Sequence, residues 1–320
     1  MLARLVPDRF ILWLVAALAL GIVLPVGGGA AGTVDSVTLA AIFLLFFLHG
    51  VRLPREALLS GVTDWRLHCA ILAITYSVFP AIGLALWALF PDLVEPGLWT
   101  GLLFLCALPS TVQSSIAFTS MARGEVAGAV AAAAFSNLLG VVLTPLLIAL
   151  MIGAEGVSLS TGAILRIVAL LFVPFVAGHA LRPLLHRAAD RHPGLVRIVD
   201  KGTILLAVYG AFSAATVAGI WSRIPPIEMA VLILLCLGLL AIALVASLVI
   251  GRPFPPQSRA AILFCGSVKS LASGVSMARI LFPGAAAGLV ILPVMIFHTV
   301  QLVVCAWIAA RIGRESKSDF

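Results

Sequence analysis

Charge is scarce in this sequence. Only 10% of its 320 residues are Asp, Glu, Lys or Arg, whereas 62% are hydrophobic and the mean hydropathy is +1.19. These values exclude a soluble globular domain and define a polytopic membrane protein. Cysteine is scarce as well. Cys69, Cys106, Cys236, Cys265 and Cys305 fall in or beside apolar stretches, without metal-ligand spacing. They read as small packing residues rather than a disulfide framework or a metal centre, and no motif calls for a cofactor. Acidic residues number 13 against 20 basic ones, a net charge of +7. The basic residues lie between apolar runs, so the excess is not a nucleic-acid footprint; the partner it follows is the lipid bilayer.

Ten apolar runs are present, at about 10–26, 36–51, 67–90, 97–121, 126–152, 160–181, 202–221, 227–250, 258–281 and 285–310. Helices are the only open-chain way to satisfy backbone groups in lipid. The expected fold is therefore an all-α polytopic membrane protein with ten transmembrane helices. The first run follows Arg4 and Arg9 and precedes GGGAAG, a pattern that also resembles a signal peptide. The ten-helix count needs this run to be retained. A cytoplasmic N-terminus places 16 of the 20 basic residues on the cytoplasmic side. Arg166, Arg223 and Arg279 fall toward the outside, and Lys269 falls within the membrane. Both termini are expected in the cytoplasm and the chain in the inner (plasma) membrane. The basic segment 182–201, RPLLHRAADRHPGLVRIVDK, reads as a solvated cytoplasmic linker. Before it, residues 1–181 hold a first five-helix repeat and the sixth helix; after it, residues 202–320 hold the other four.

The two halves repeat each other. Residues 111–123 read TVQSSIAFTSMAR and residues 267–279 read SVKSLASGVSMAR, with six identities in 13 positions at a shift of 156. Five helices separate the copies, an odd number, so they run in opposite directions through the membrane. That is an inverted-topology repeat, the architecture of many secondary transporters. It pairs Lys269 with Gln113.

Each copy begins with a helix-breaking signal. CALPSTVQSS carries Pro109 in mid-run, followed by hydroxyl and amide side chains, and FCGSVKS carries Gly266 with two serines. Proline removes a backbone donor and glycine weakens a helix, so an unwound segment is expected in both. Discontinuous segments at matching positions point to a binding site, where half-helix ends and freed carbonyls face a cavity. The bland alternative is a pair of kinked packing helices. Lys269 stands inside the second segment, ten residues from Arg259 and from Arg279. That is about 15 Å along a helix in either direction, near the bilayer midplane. A lysine there costs roughly 3 kcal/mol to insert, which marks it as functional.

CALPSTVQSSIAFTSMARGEVAGAV…FSNLLGVVLTPLL and AILFCGSVKSLASGVSMARILFPG…VILPVMIFHTVQLVV resemble the bile acid:sodium symporter family. The likeness is to the divergent branch whose second crossing motif carries a lysine followed by serine. It is specific over about 100–150 and 258–305. The resemblance implies a panel and a core domain, with helices 4 and 9 broken and crossing at mid-membrane. It also implies sodium-coupled uptake of small organic anions such as bile acids or related carboxylates and sulfates. Several positions depart from the family pattern. Ser115 keeps a serine of the sodium-binding members, but Ile116 replaces an asparagine, and Ala129 and Ala133 replace hydroxyl ligands. Phe264 stands where those members carry a glutamate, and Val268 and Lys269 stand for a Gln-Asn pair. None of the acidic residues falls in the middle of an apolar run. Sodium needs oxygen ligands, so its usual sites look dismantled.

Lys269 could fill the vacancy, its ammonium donating to Ser114, Ser115, Ser136 or Asn137 and to freed carbonyls. Without a carboxylate partner it could load and release a proton, making the coupling ion a proton rather than sodium. It could instead attract the anionic substrate directly, or serve as a structural tether. Ser267 and Ser270 flank it. His298 and Gln301 share a helix face at i, i+3 spacing and could meet the crossing; Thr75, with Ser77, could reach the cavity from helix 3. Two other function classes stand beside transport. One is a Ser-Lys intramembrane hydrolase, which lacks an evident oxyanion hole. The other is a non-transporting regulator of ion homeostasis.

Overall fold

The computed structural model describes residues 9–53, 64–156, 168–282 and 284–318; of residues 9, 153–156, 223 and 315–318 it describes the backbone alone. Helix makes up 86% of the described residues, and no strand occurs among them. In chain order the helices are α1 (Arg9–Val23), α2 (Gly28–Arg52), α3 (Trp65–Leu89), α4 (Pro96–Ala107), α5 (Gln113–Met121) and α6 (Val126–Gly156). They continue with α7 (Val168–Ala180), α8 (Arg182–Arg191), α9 (Pro193–Val217), α10 (Pro226–Gly251), α11 (Pro256–Ser267), α12 (Leu271–Leu281) and α13 (Ala286–Ser318).

Each apolar run coincides with helix, except that residues 160–167 of the sixth lie outside the described residues. Both expected breaks are present: α4 and α5 are separated by residues 108–112, and α11 and α12 by residues 268–270. Among the described residues six segments can cross a membrane by length and composition, or seven if α7 and α8, bent by 92°, count as one. α1 and α4 are apolar but short of the roughly 30 Å of a hydrocarbon core. The basic linker is not a loop. Residues 182–191 form α8, none of whose residues is buried, and α9 begins at Pro193, nine residues before its apolar run.

Two compact units make up the chain, each drawing on segments from before and after the basic linker. The first holds Met1–Leu53, Leu159–Pro225 and Val275–Ile291. In it α2 and α7 approach backbone to backbone. A Cβ on Gly50 would strike the Phe175 carbonyl, and one on Gly178 the Phe47 carbonyl. Such small-residue contacts let helices associate where no hydrophobic drive exists between them; alanine at either position would force the pair apart. Arg279 pairs with Asp35, and His49 and Arg52 with Asp200 at 3.5 and 3.7 Å.

The second unit holds Pro54–Ser158, Pro226–Gly274 and Leu292–Phe320. Phe79, Phe104, Phe264 and Phe297 are among its fully buried side chains. The broken segment Pro256–Leu281 has 94% of its spanning window buried, against 33% for α10. Irregular backbone at membrane depth is tolerated only where protein covers it, and this segment meets that condition.

Candidate substrate and ion site

The site forms around the break between α4 and α5, within the second unit. Pro109 brings no N–H, so the helix cannot continue to satisfy its own carbonyls. Leu108 N–H turns back to the Leu105 carbonyl at 3.2 Å, and Ser110 N–H goes to Ser136 Oγ at 3.1 Å. Five carbonyls in succession are then available, and each finds a partner elsewhere. Thr144 Oγ1 donates to Ala107 at 2.8 Å, Ser270 N–H to Pro109 at 2.9 Å, and Asn137 Nδ2 to Ser110 at 2.6 Å. The remaining two, Cys106 and Leu108, accept from Lys269 Nζ at 2.9 and 2.7 Å.

A third carbonyl comes from α3. Residues Ile74–Val78 form a π turn, in which Phe79 N–H bonds to Ile74 five residues back rather than to Thr75. Pro80 has no N–H to offer in its place, so the Thr75 carbonyl is left open. Lys269 Nζ donates to it at 2.9 Å. Carbonyls only accept, so three of them require three N–H bonds, the complement of an ammonium. The face of Phe79 lies 4.1 Å from Nζ and adds a cation–π contact. Lys269 is 1% exposed. Its charge sits in a cage of three carbonyl dipoles and one aromatic ring.

The second break positions the lysine. Val268 is extended and ends α11. The Lys269 backbone then makes two bonds with one side chain: its N–H donates to Gln301 Oε1 at 2.8 Å, and its carbonyl accepts from Gln301 Nε2 at 2.9 Å. The backbone N–H fixes which end of the amide is oxygen. The second hydrogen of Nε2 then points to His298 Nδ1, 2.9 Å away, so that nitrogen is the acceptor.

Of the residues singled out in the sequence, Thr75, Lys269, Gln301 and His298 are brought together. Ser136, Asn137, Ser270 and Ser273 form a neighbouring network. Ser273 Oγ donates to Asn137 Oδ1 at 2.8 Å, Ser270 Oγ to Ser273 Oγ at 3.1 Å, and Tyr76 Oη to the Ser136 carbonyl at 2.6 Å. The side-chain donor set expected for the lysine is not found: Nζ bonds to carbonyls and to none of Ser114, Ser115, Ser136 or Asn137. Ser114 bonds to Thr111 Oγ1, Ser115 to the Thr111 carbonyl, and Ser267 to Leu263 at 2.5 Å, all within a helical turn. Gln113, the repeat mate of the buried lysine, is exposed, as is Ser77. Phe264 is fully buried with its ring 5.8 Å from that of Phe118, and Ala129 and Ala133 are fully buried. The reading of the sequence missed Phe79, Ser110 and the Cys106 carbonyl. The dipeptide Phe79-Pro80 was the available signal, since an intrahelical proline always frees a carbonyl upstream.

A broken pair of buried helices around polar groups, in an all-helical chain with several apolar spans, defines a multi-pass membrane transporter. The chain belongs to the SBF-like CPA transporter family, whose sequence profile matches residues 8–314. It is 48% identical over 98% of its length to "Uncharacterized protein PA2026" of Pseudomonas aeruginosa, covering 95% of that protein. It is 42% identical to "Putative symporter YfeH" of Escherichia coli, over 97% of this chain and 94% of that one. "Sodium/bile acid cotransporter 7" of Danio rerio is 28% identical over 94% of this chain and 92% of its own. The resemblance seen in two motifs therefore extends along the whole chain, to transporters rather than to a hydrolase.

Proposed function

We infer that this protein is a secondary active transporter of small organic anions in which the Lys269 ammonium takes the place of a bound coupling cation. The observation that carries this is the cage: three carbonyl oxygens and an aromatic face around one positive charge, the kind of surround that a desolvated cation needs. All three N–H bonds are engaged there, which favours cation replacement over direct contact with a substrate anion. Deprotonation would leave one of the three carbonyls without a donor, so proton loss and opening of the cage are coupled. That supports proton-linked rather than sodium-linked transport. The buried Phe264, Ala129 and Ala133 support it from the other side, because no oxygen ligand is available on those side chains.

The test is uptake into proteoliposomes of the purified protein, with a panel of amphipathic carboxylates and sulfates. Uptake should persist when choline replaces sodium and should change with pH. A steep, saturable sodium requirement would overturn the altered coupling and point to a rebuilt sodium site. Absence of flux for every anion, with activity only in the presence of partner proteins, would favour the regulator.

The reading includes ten membrane crossings in two inverted five-helix repeats, with both termini cytoplasmic in the inner membrane. The paired helix breaks and the charge distribution support it. A single cysteine introduced near residue 155 should label from outside, and one near residue 190 from inside. Labelling of both from one side would sink the inverted repeat.

A further inference from the structure

Helix α8, in the first unit, combines two features that water does not reconcile. Its sequence RPLLHRAADR is amphipathic, and none of its residues is buried. Leu184 is 77% exposed, and in the following turn of α9 Leu195 and Ile198 are 62% and 68% exposed. At 3.6 residues per turn Arg187 and Arg191 fall within about 60° of Leu184, whereas Asp190 is roughly a third of a turn away. Arg197 is exposed as well, about 100° round α9 from Ile198 and so at the flank of the apolar pair. Large apolar side chains are thus interleaved with arginines on an open surface. The preceding helix α7 exposes Val168, Phe172, Val173 and Val176, a stripe suited to lipid. α8 turns through 92° from it. With the α7 stripe facing lipid along roughly 20 Å of helix, a helix perpendicular to it at its end lies along the bilayer surface.

We propose that α8 and the first turns of α9 form a membrane-surface element. Leu184, Leu195 and Ile198 seat among acyl chains, and Arg187, Arg191 and Arg197 bind the phosphate headgroups of anionic phospholipids. The chemistry suits that occupant. Interfacial helices pair leucines below the headgroups with basic side chains at their level, and guanidinium groups bind phosphate oxygens bidentately. Among the described residues no ion pair occupies these three arginines. A second protein copy would have to bury the arginines against apolar surface, which the charge argues against.

The experiment uses the full chain in nanodiscs of equal parts phosphatidylglycerol and phosphatidylcholine. Cys69 is the one exposed native thiol, so L184C in a Cys69→Ser background carries an environment-sensitive fluorophore selectively. Nitroxide-labelled phosphatidylglycerol should quench it more than nitroxide-labelled phosphatidylcholine, with a bias on the order of fivefold for each arginine engaged. The substitutions R187Q, R191Q and R197Q should remove the bias but leave quenching by both lipids, because Leu195 and Ile198 stay seated. A label at Asp190 should be quenched less by either. If the label at 184 is quenched only by a water-soluble nitroxide, the face is solvated and the proposal falls. If it is shielded from lipid and water alike while the protein runs as a dimer, a second copy covers the face. Equal quenching by the two lipids would remove the anionic headgroup.

Discussion

Lys269→Ala is expected to abolish uptake while leaving a protein that inserts and stays monodisperse in detergent. The magnitudes decide between lost function and lost fold. Removing the side chain strips the Thr75, Cys106 and Leu108 carbonyls of a donor. Polar bonds inside membrane proteins average about 0.6 kcal/mol, so three are worth roughly 2 kcal/mol. Against that, the variant no longer inserts a charge at mid-membrane, a cost of about 3 kcal/mol. The two nearly cancel, and the helices remain packed by other contacts. What disappears is the one positive charge in the cage.

Two further substitutions separate the possible roles. Lys269→Arg should not rescue fully, because a guanidinium is larger and planar and stays protonated at any accessible pH. Lys269→Gln is the sharper test. It copies the Gln113 side chain of the first repeat and offers two N–H donors but no charge. Normal transport by this variant, with an unchanged pH profile, would eliminate both the cation-substitute and the substrate-anchor roles. Aggregation of the glutamine and alanine variants alike would make the lysine a structural tether.

The sequence made the lysine and both helix breaks legible because each is a local signal. A charge in an apolar run, a mid-run proline and a repeated motif can be read without knowing the fold. The cage was legible only in part. Carbonyls freed at a helix break were expected, and Cys106 and Leu108 supply two. The Thr75 carbonyl and the Phe79 face come from a different helix and carry no such signal in their side chains. Thr75 was singled out for its hydroxyl, yet that hydroxyl bonds back to Ile71 at 2.8 Å and the carbonyl holds the lysine. The repeat suggested that Gln113 would share the environment of Lys269. It does not: the one is exposed and the other buried, since equivalent register does not impose equivalent burial. The basic segment 182–201 was read by composition as a loop. The i, i+3, i+4 pattern of Leu184 and Leu185 with Leu181, the residue just before the segment, was the helical signal there.

The amide of Gln301 should matter almost as much as the charge that it positions. Gln301→Leu keeps the side-chain volume but leaves the Lys269 backbone N–H and carbonyl without partners in a fully buried setting. On the same scale of about 0.6 kcal/mol per bond, the two lost bonds are worth roughly 1 kcal/mol, and the extended segment 268–270 would move to recover them and carry the ammonium out of the cage. Transport should fall by at least about tenfold, given a displacement worth 1.4 kcal/mol or more. Gln301→Glu gives the diagnostic readout. A protonated carboxyl can accept from the Lys269 N–H and donate to the Lys269 carbonyl, as the amide does, whereas an ionised one can only accept. This variant should therefore transport in acid and fail in alkali, with a steeper pH profile than the native protein. A merely structural glutamine would give a lower melting temperature in both variants with no change in the pH profile. Full activity of the leucine variant would show that the Lys269 backbone does not need its clamp.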